Sequence, residues 1–429
     1  MVGGYNITIE EITLPDESKY DSFSIIESEK DISDCLVSPD IAVCDKCKSE
    51  VLDNKNRRYL HPFTNCTQCG PRLTILRRIP YDRINTSMSS FQMCPSCTNE
   101  YFDHTSRRYD AQPNCCNHCG LRLYIIGTDL YGEDAIIVIR KAIMSGEIVG
   151  IKGIGGFHLC CDAKNPNAVS LLRKIKQRPS KPFAIMMKNE KVVEKECFIN
   201  SEQHKLLNGW QKPIILLKKR HNTSLCDDIA PRNSTIGVML PYTPLHLLLF
   251  DYPDNINMTD SLIMTSGNSH GAPICHNDNE AIQEIDKYCT LILSNDREIV
   301  IRADDSVCDW FDEKPYMIRR SRGFAPLPIT ISHKSHPQIL AIGGELKSTF
   351  CIAKNGLLYP SPYVGDMTDF HTISAFRDSV MHMIKLLETN PEIVICDLHP
   401  NYNSVMVANE IARDLRIPVA QVQTYSEIQ

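Results

Sequence analysis

No stretch of the 429 residues approaches the run of about 18 consecutive apolar side chains that a membrane-spanning helix needs. The first residues, MVGGYNITIEEITLPDE, supply neither the basic start nor the apolar segment of a secretory signal. Both absences point to a cytoplasmic protein with no membrane role. A large excess of one charge is lacking too: 46 basic side chains stand against 52 acidic ones, a net −6, so the whole chain carries no electrostatic footprint for nucleic acid. Ten of the 19 cysteines are scattered without regular spacing, which in a chain of this length makes no disulfide scaffold and fits a reducing compartment. What is present is 42% hydrophobic residues, enough for packed cores, in a length that corresponds to roughly two to four domains.

The other nine cysteines fall between Cys44 and Cys119, where two copies of the pattern C-x2-C-x18-C-x2-C stand 50 residues apart. Arg57/Arg107, Arg58/Arg108, Tyr59/Tyr109, Gly70/Gly120 and Arg72/Arg122 repeat at the same offset, which marks a duplicated unit. Two residues between thiolates let both sulfurs reach one tetrahedral ion at about 2.3 Å, and two such knuckles complete a four-sulfur shell. Cys44, Cys47, Cys66 and Cys69 are therefore assigned to one structural zinc, and Cys94, Cys97, Cys116 and Cys119 to a second, with Cys115 as the spare. Spacing leaves open a crossed arrangement, in which the outer pairs share one ion and the inner pairs the other. Redox or disulfide pairing is the competing reading, and the zinc spacing outweighs it. Gly70 and Gly120 follow the second knuckles, where a turn with positive φ suits glycine. Between Cys44 and Tyr124 there are 12 Lys/Arg and 7 Asp/Glu, or +5, to which eight thiolates on two Zn²⁺ add −4. The array therefore lacks a concentrated basic face, which argues against nucleic acid here as well.

Residues 1–40, with ten acidic side chains and two lysines, hold strand-like runs at Tyr5–Ile12 and Phe23–Ile26 and are too short for a core of their own. Beyond the cysteine array, a helix-period segment from Glu133 to Met144 leads into the strand IVGI and the loop KGIGGFHLCCDA. Gly153, Gly155 and Gly156 would let backbone amides approach a phosphate. The loop lacks the GK[ST] ending of a P-loop and the spacing of a dinucleotide fingerprint, so a plain turn fits it equally. NPNAVSLLRKIKQRPSK reads as a helix ended by Pro179, with Lys176 and Arg178 at its exit, where a solvated basic end would also satisfy the helix dipole. PFAIMM and PIILLK read as buried strands, TIGVMLPYTPLHLLLF as strand, turn and helix, and SLIMTSGNSHGAPI as a strand ending in a polar turn that carries Ser266 and Asn268. The alternation predicts an α/β sheet, and strand ends are where such sheets bind ligands. DREIVIRADDSVCDW and YMIRRSRGFAPLPI read as strands bearing Arg302, Arg319, Arg320 and Arg322, arginine being suited to planar phosphate groups. After the proline-bearing APLPITISHKSHPQ, LAIGGELKSTFCIAKNGLLY reads as a two-strand hairpin. A helix from about Thr372 to Glu388, the strand EIVICD, a helix to Arg416 and a last strand follow. A sheet begun there is expected to bury no normal core alone and to form an exposed layer.

The strings RRYLHPFTNCTQCGPR, IPYDR, RRYDAQPN, GIGGFHLCCDA, PYTPLH, TSGN, RRSRGFAP, LAIGGELKSTF, YVGDM and DLHPNY together resemble the HypF family, the hydrogenase maturation carbamoyltransferases, over nearly the whole chain. The resemblance implies an α/β multidomain protein. Residues 1–40 would be an acylphosphatase tail and linker, 41–124 a double four-cysteine zinc-finger region, 125–327 a YrdC-like nucleotide- and carbamoyl-binding domain, and 335–429 the start of a carbamoyltransferase domain of the actin/sugar-kinase class. It implies an enzyme that makes carbamoyl adenylate from carbamoyl phosphate and ATP with Mg²⁺, and passes the carbamoyl group to the C-terminal cysteine of a HypE-type acceptor. On that resemblance Lys176 and Arg178 hold the polyphosphate, Ser266 and Asn268 orient the nucleotide or carbamate, and Gly155, Gly156, His158, Lys181 and Arg320 complete the binding site. Two departures stand out. No arginine-bearing acylphosphatase loop is found, and the ending VQTYSEIQ has no histidine-rich metal motif, so a truncated chain deficient in the transfer step is expected. Two other functions share parts of the pattern: a threonylcarbamoyl-adenylate synthase for tRNA modification, against which the cysteine array weighs, and a non-catalytic zinc scaffold.

Overall fold

A computed structural model describes residues 36–269, 271–331 and 337–423. The strand-like runs expected at Tyr5–Ile12 and Phe23–Ile26 lie outside the described residues. In the cysteine array, α1 (Asp45–Leu52) and α2 (Pro95–Phe102) each start directly after the first cysteine of a repeat. Cys44 and Cys94 are the N-cap residues, which puts Cys47 and Cys97 one helical turn further on the same face. Pro95 opens α2 at the position where its missing N–H costs nothing. The remainder of the array is short 3-10 turns and loops.

The next unit contains β1 (Leu123–Ile125), α3 (Gly132–Met144), β2 (Val149–Lys152), β3 (Phe157–Asp162), α4 (Pro166–Ile175), β4 (Ala184–Met187) and α5 (Glu190–Glu196). It continues through β5 (Cys197–Phe198), α6 (Ser201–Asn208), β6 (Ile214–Lys219), β7 (Thr235–Met239), α7 (Pro244–Phe250) and β8 (Ser261–Ser266). It closes with α8 (Asp278–Glu284), β9 (Leu291–Asn295), β10 (Val307–Phe311) and β11 (Lys314–Arg319). All these strands join one sheet in the order β1-β9-β2-β3-β8-β4-β7-β6-β10-β11, with β5 added beside β6. The sheet is mixed: β2/β9, β4/β7 and β6/β10 run parallel, and the other neighbours run antiparallel. Period-two alternation sends Cys160, Met186, Leu262, Met264 and Leu293 to one face and Leu159, Cys161, Ile185, Met187, Ile263 and Ile292 to the other. Covering the first face are α3, α7 and residues of the cysteine array, among them Ala42, Val51, Phe63, Ile75 and Met88. The second is covered by α4 to α6 through Val169, Leu172, Val193 and Leu207.

The last unit is a six-stranded sheet of β12 (Ile329–Thr330), β13 (Ile339–Ile342), β14 (Phe350–Lys354), β15 (Leu357–Pro360), β16 (Ile393–Asp397) and β17 (Val419–Val422), ordered β12-β15-β14-β13-β16-β17. Packed with it are α9 (Phe370–Leu386) and α10 (Asn403–Leu415). Two expectations need correction here. The unit does bury a core: Leu340, Ile352, Phe376, Val380, Val394 and Ile411 are closed from solvent. Val37, which precedes the cysteine region, Leu73 and Leu76 within it, and Ile301 complete that core from outside the unit, which a reading of the last segment by itself does not count. The strand expected across DREIVIRADDSVCDW begins only at Val307. Before it the backbone spends its amides on separate partners, Val300 donating to the Thr74 carbonyl (2.7 Å) and Ala303 to that of Gly155 (2.9 Å), so no ladder forms.

Among the described residues no helix is long and apolar enough to cross a membrane, and the cysteines are all free of disulfides. Phe376 is fully buried and meets Phe350 edge-on at 5.4 Å. Phe376→Ala is expected to cost about 3–5 kcal/mol. Hydrogen exchange should show the loss as faster opening of α9 and β14, with the eleven-stranded sheet unaffected.

Candidate active site and zinc centres

A tetrahedron of metal–sulfur bonds of about 2.3 Å has edges of roughly 3.8 Å. In the first cluster the Sγ···Sγ separations Cys44–Cys66, Cys66–Cys69 and Cys47–Cys69 are 3.8, 3.8 and 3.6 Å. In the second, Cys94–Cys116, Cys116–Cys119 and Cys97–Cys119 repeat those values. The two four-cysteine clusters fit structural zinc sites, and the grouping is sequential, not crossed. Cys115 stands apart. Burial pushes its thiol up to about 12 and the His61 ring, 3.3 Å away, down to about 3, so both are neutral and structural.

A tetrathiolate zinc centre carries net negative charge, and the fold answers it across the repeats. Arg107 of the second repeat donates to Cys47 Sγ of the first at 2.9 Å, and with Arg108 it also grips Glu50. Arg57 and Arg58 of the first repeat return the contact: Arg57 donates to Cys97 Sγ at 3.3 Å, and both reach Glu100. Arg58 and Arg108 are buried, and each also caps a carbonyl of the opposite repeat, Cys115 and Asn65 respectively. The conserved register of these pairs at an offset of 50 residues thus encodes a mutual exchange of counter-charge between the copies.

The second centre lies where β8 ends. Lys176 caps α4 but turns inward, and at 8% exposure it is no solvated helix end. Its Nζ donates to the carbonyls of Ser266 (3.1 Å) and Asn268 (2.6 Å) and to Asn268 Oδ1 (3.0 Å). Ser266 Oγ donates to the same Oδ1 at 3.0 Å, while Asn268 Nδ2 donates to the Ala272 carbonyl. Arg178 reaches Thr265 Oγ1 at 3.2 Å and the carbonyls of Lys181 and Pro182. Among the described residues neither Lys176 nor Arg178 meets a carboxylate. Desolvation, reinforced by the Arg178 charge, pushes Lys176 down to about 8. Gly267 is required at this turn, since a Cβ there would stand 2.8 Å from the Phe157 carbonyl.

The other expected residues are dispersed around this pair. Lys181 is exposed at the rim. His158 faces Ser266 across the β3/β8 ladder but is held inside by Asp305 (3.1 Å). Burial would raise the Asp305 carboxyl, but the charge of Arg322 (2.7 Å) and the His158 hydrogen bond hold it well below the usual range. Gly155 and Gly156 serve close packing: a Cβ on Gly155 would stand 2.2 Å from the Ala303 carbonyl, and one on Gly156 2.7 Å from Ile274. Arg320 is not at the site; it caps the carbonyls of Phe324, Leu327 and Pro360. Its neighbour Arg319, one of the four arginines noted in this stretch but not placed in the expected binding site, stands closer to the pair. The Arg319 charge is felt by Arg178 and Lys181, its guanidinium pairs with Asp304 at 2.8 Å, and it lies over the Tyr363 ring of the YVGDM turn at 5.1 Å. A register shift between β10 and β11 beside Ile318 re-aims this end of the strand, and no composition signal announces such a bulge. The last unit closes the neighbourhood through Thr372 Oγ1, which donates to the Gly271 carbonyl at 3.0 Å.

Lys176 and Arg178 are desolvated cations with no carboxylate of their own, the nearby Asp304 being paired with Arg319, an arrangement suited to an anion. Binding pyrophosphate would favour the charged form of Lys176 and raise its pKa, so affinity is expected to fall by up to tenfold per pH unit above about 8. Calorimetry near pH 8.5 should register proton uptake, and Lys176→Met should abolish it. Without anion the sign on stability is opposite: the unfolded lysine holds its proton up to about 10.5, so stability rises as pH climbs from about 8 to that value. At the other centre, metal analysis should return two zinc ions. Arg107→Ala should weaken retention at the Cys44 cluster by about 10- to 100-fold in chelator competition, sparing the Cys94 cluster.

The comparisons with known proteins follow the same division. The family described as "HypF finger" matches residues 43–76 and 93–126, the one described as "Telomere recombination" (Sua5, YciO and YrdC) matches 141–321, and "HypF Kae1-like domain" matches 334–425. The chain is 41% identical over 414 residues to "Carbamoyltransferase HypF" of Synechocystis, covering 96% of this chain and 53% of that protein. It is likewise 41% identical over 424 residues to "Probable carbamoyltransferase HypF" of Methanocaldococcus jannaschii, covering 97% and 54%. Two solved structures superpose closely. Full-length HypF in the phosphate- and nucleotide-bound form gives a TM-score of 0.84 at 40% identity, covering 90% of this chain and 50% of that one. HypF of T. kodakarensis gives 0.86 at 42%, covering 91% and 51%. The chain spans about half the length of the curated relatives it matches.

Proposed function

Given that this chain belongs to the HypF family, we propose that its YrdC-like unit, residues 125–327, forms carbamoyl adenylate from ATP with Mg²⁺ and carbamate derived from carbamoyl phosphate, for delivery to the C-terminal cysteine of a HypE-type acceptor in hydrogenase maturation. The observation that carries this reading is the pair of cations, buried Lys176 and half-buried Arg178, set at the end of β8 with no carboxylate partner among the described residues. In the proposed step a carbamate oxygen attacks the α-phosphorus of Mg·ATP. The bond from that phosphorus to the bridging oxygen breaks, and pyrophosphate leaves with the electron pair. The negative charge that grows on the leaving group would be met by Lys176, Arg178 and Arg319. Donors already fixed in a water-poor site pay no reorganisation as that charge develops. Ser266 and Asn268, locked to each other and to Lys176, would hold the turn against which the nucleotide and carbamate are oriented. Residues 41–124 would carry the two structural zinc ions, and residues 335–429 would begin the domain that takes the carbamoyl group onward. A reducing cytoplasm suits a chain with so many free thiols.

The test is ATP/pyrophosphate exchange with carbamoyl phosphate and an added acylphosphatase, which hydrolyses it to carbamate and phosphate, in one arm and threonine plus bicarbonate in the other. Exchange in the first arm alone is expected; exchange in the second would make the chain a threonylcarbamoyl-adenylate synthase, and exchange in neither would leave a scaffold. Lys176→Ala should lower exchange by about 10²- to 10³-fold, as loss of a donor aimed at developing charge does. Its thermal midpoint should stay within a few degrees of the parent. Loss of both together would assign Lys176 to folding.

A further inference from the structure

Between the cysteine array and the eleven-stranded sheet lies a cavity of about 30 Å³, walled by Phe63 and Pro71 of the array and by Lys152, Gly153, Tyr242 and Arg297 of the YrdC-like unit. Arg297 is 5% exposed. Among the described residues its guanidinium makes no hydrogen bond and no ion pair; its contact is the face of Phe63 at 5.5 Å, and its Nε is a buried donor with nothing to receive it. Arginine cannot shed its proton to escape this position, as a lysine can, so the charge has to be answered where it stands. Its chain neighbours Asp296 and Glu298 are exposed. Asp40 is a buried acid that acts on it, but its Oδ1 is taken by the Arg72 amide and by Thr74, its Oδ2 makes no hydrogen bond to Arg297 or to any other described group, and burial raises its carboxyl toward the neutral form.

Lys152 adds a second cation to the wall. Lys152 Nζ sits on the Asn295 carbonyl at 2.8 Å and 3.5 Å from Asp278, and burial, with a smaller push from the Arg297 charge, depresses it. Asn295 Nδ2, two residues before Arg297, is likewise a buried donor without an acceptor. Water alone would satisfy the hydrogen bonds and leave the charge. The volume admits about two waters' worth of atoms, far too little for a nucleotide.

We propose that this seam is a buried site for a small monoanion, of the size of a halide or bicarbonate, with Arg297 as its principal ligand. The anion would sit against Phe63 and Pro71, so it would also fasten the cysteine array to the sheet. This site is separate from the Lys176 cluster and does not rest on the activity proposed above.

Crystals of the full chain grown in bromide, and others grown in bicarbonate, give the direct reading. A bromide anomalous peak or planar bicarbonate density against Arg297 is expected, and which of the two appears tells a halide site from an oxyanion site. In parallel, thermal midpoints at equal ionic strength should be higher in chloride or bicarbonate than in gluconate, which is too large to enter. Arg297→Met should remove that difference. Absence of density in both crystals, equal midpoints in all three salts, or an anion effect that survives in Arg297→Met would each overturn the proposal.

Discussion

Eight sulfurs gathered into two tetrahedra are the constraint on which the rest of this molecule depends. Their net charge with zinc bound is what Arg57, Arg58, Arg107 and Arg108 are placed to offset, and each pair crosses to the other repeat to do so. Neither repeat is therefore electrostatically complete without its copy. The array so stiffened contributes side chains to two separate cores: Phe63, Ile75 and Met88 to one face of the eleven-stranded sheet, and Leu73 and Leu76 to the core of the last unit. One short segment, Leu73–Leu76, thus packs in both directions: it is a 3-10 turn, so Leu73 and Leu76, three apart, face the last unit while Ile75 faces the larger sheet.

How much of this was legible in the sequence follows from how local each signal is. Metal ligation has a fixed short spacing, so the eight cysteines were readable, and only the choice between sequential and crossed shells needed coordinates. Hydrophobic runs placed α3, α4 and most strands, because a half-buried strand or helix writes its period into its own residues. The failures are all non-local. The segment at 296–306 looks like a strand by composition, yet its amides pair with Thr74 and Gly155, far apart in sequence. The core of the last unit could not be counted from its own residues when Val37, Leu73, Leu76 and Ile301 supply part of it. Arg319 and Arg320 are adjacent and chemically identical, and the bulge at Ile318 decides which of them faces the cations.

The Lys176 cluster shows why burial outweighs pattern when a basic helix end is interpreted. By spacing alone Lys176 and Arg178 are an ordinary positive C-terminus, favourable to the dipole and at home in water. In the fold α4 ends one residue earlier, Gln177 takes a positive φ of 48°, and the two side chains are turned onto the strand-end turn. A charge placed there costs free energy that a solvated one does not, and that cost is what distinguishes a candidate site from a surface.

The loop from Lys152 to His158 is where the two cationic regions meet. Lys152 and Gly153 wall the seam cavity, while Gly155, Gly156 and His158 lie toward the β8 turn. Gly153 donates to the Gly156 carbonyl at 2.8 Å, which closes the turn, and Phe157 exchanges backbone hydrogen bonds with Cys275 and Gly267. The absent side chains at 155 and 156 let Ala303 and Ile274 press directly on the backbone. The glycines are thus needed first for stiffness: a loop clamped on three sides cannot relax around an unpaired cation. With that relaxation denied, Arg297 on one side stays without a hydrogen-bond partner among the described residues, and Lys176 on the other has carbonyl and amide oxygens but no carboxylate among them to meet its charge.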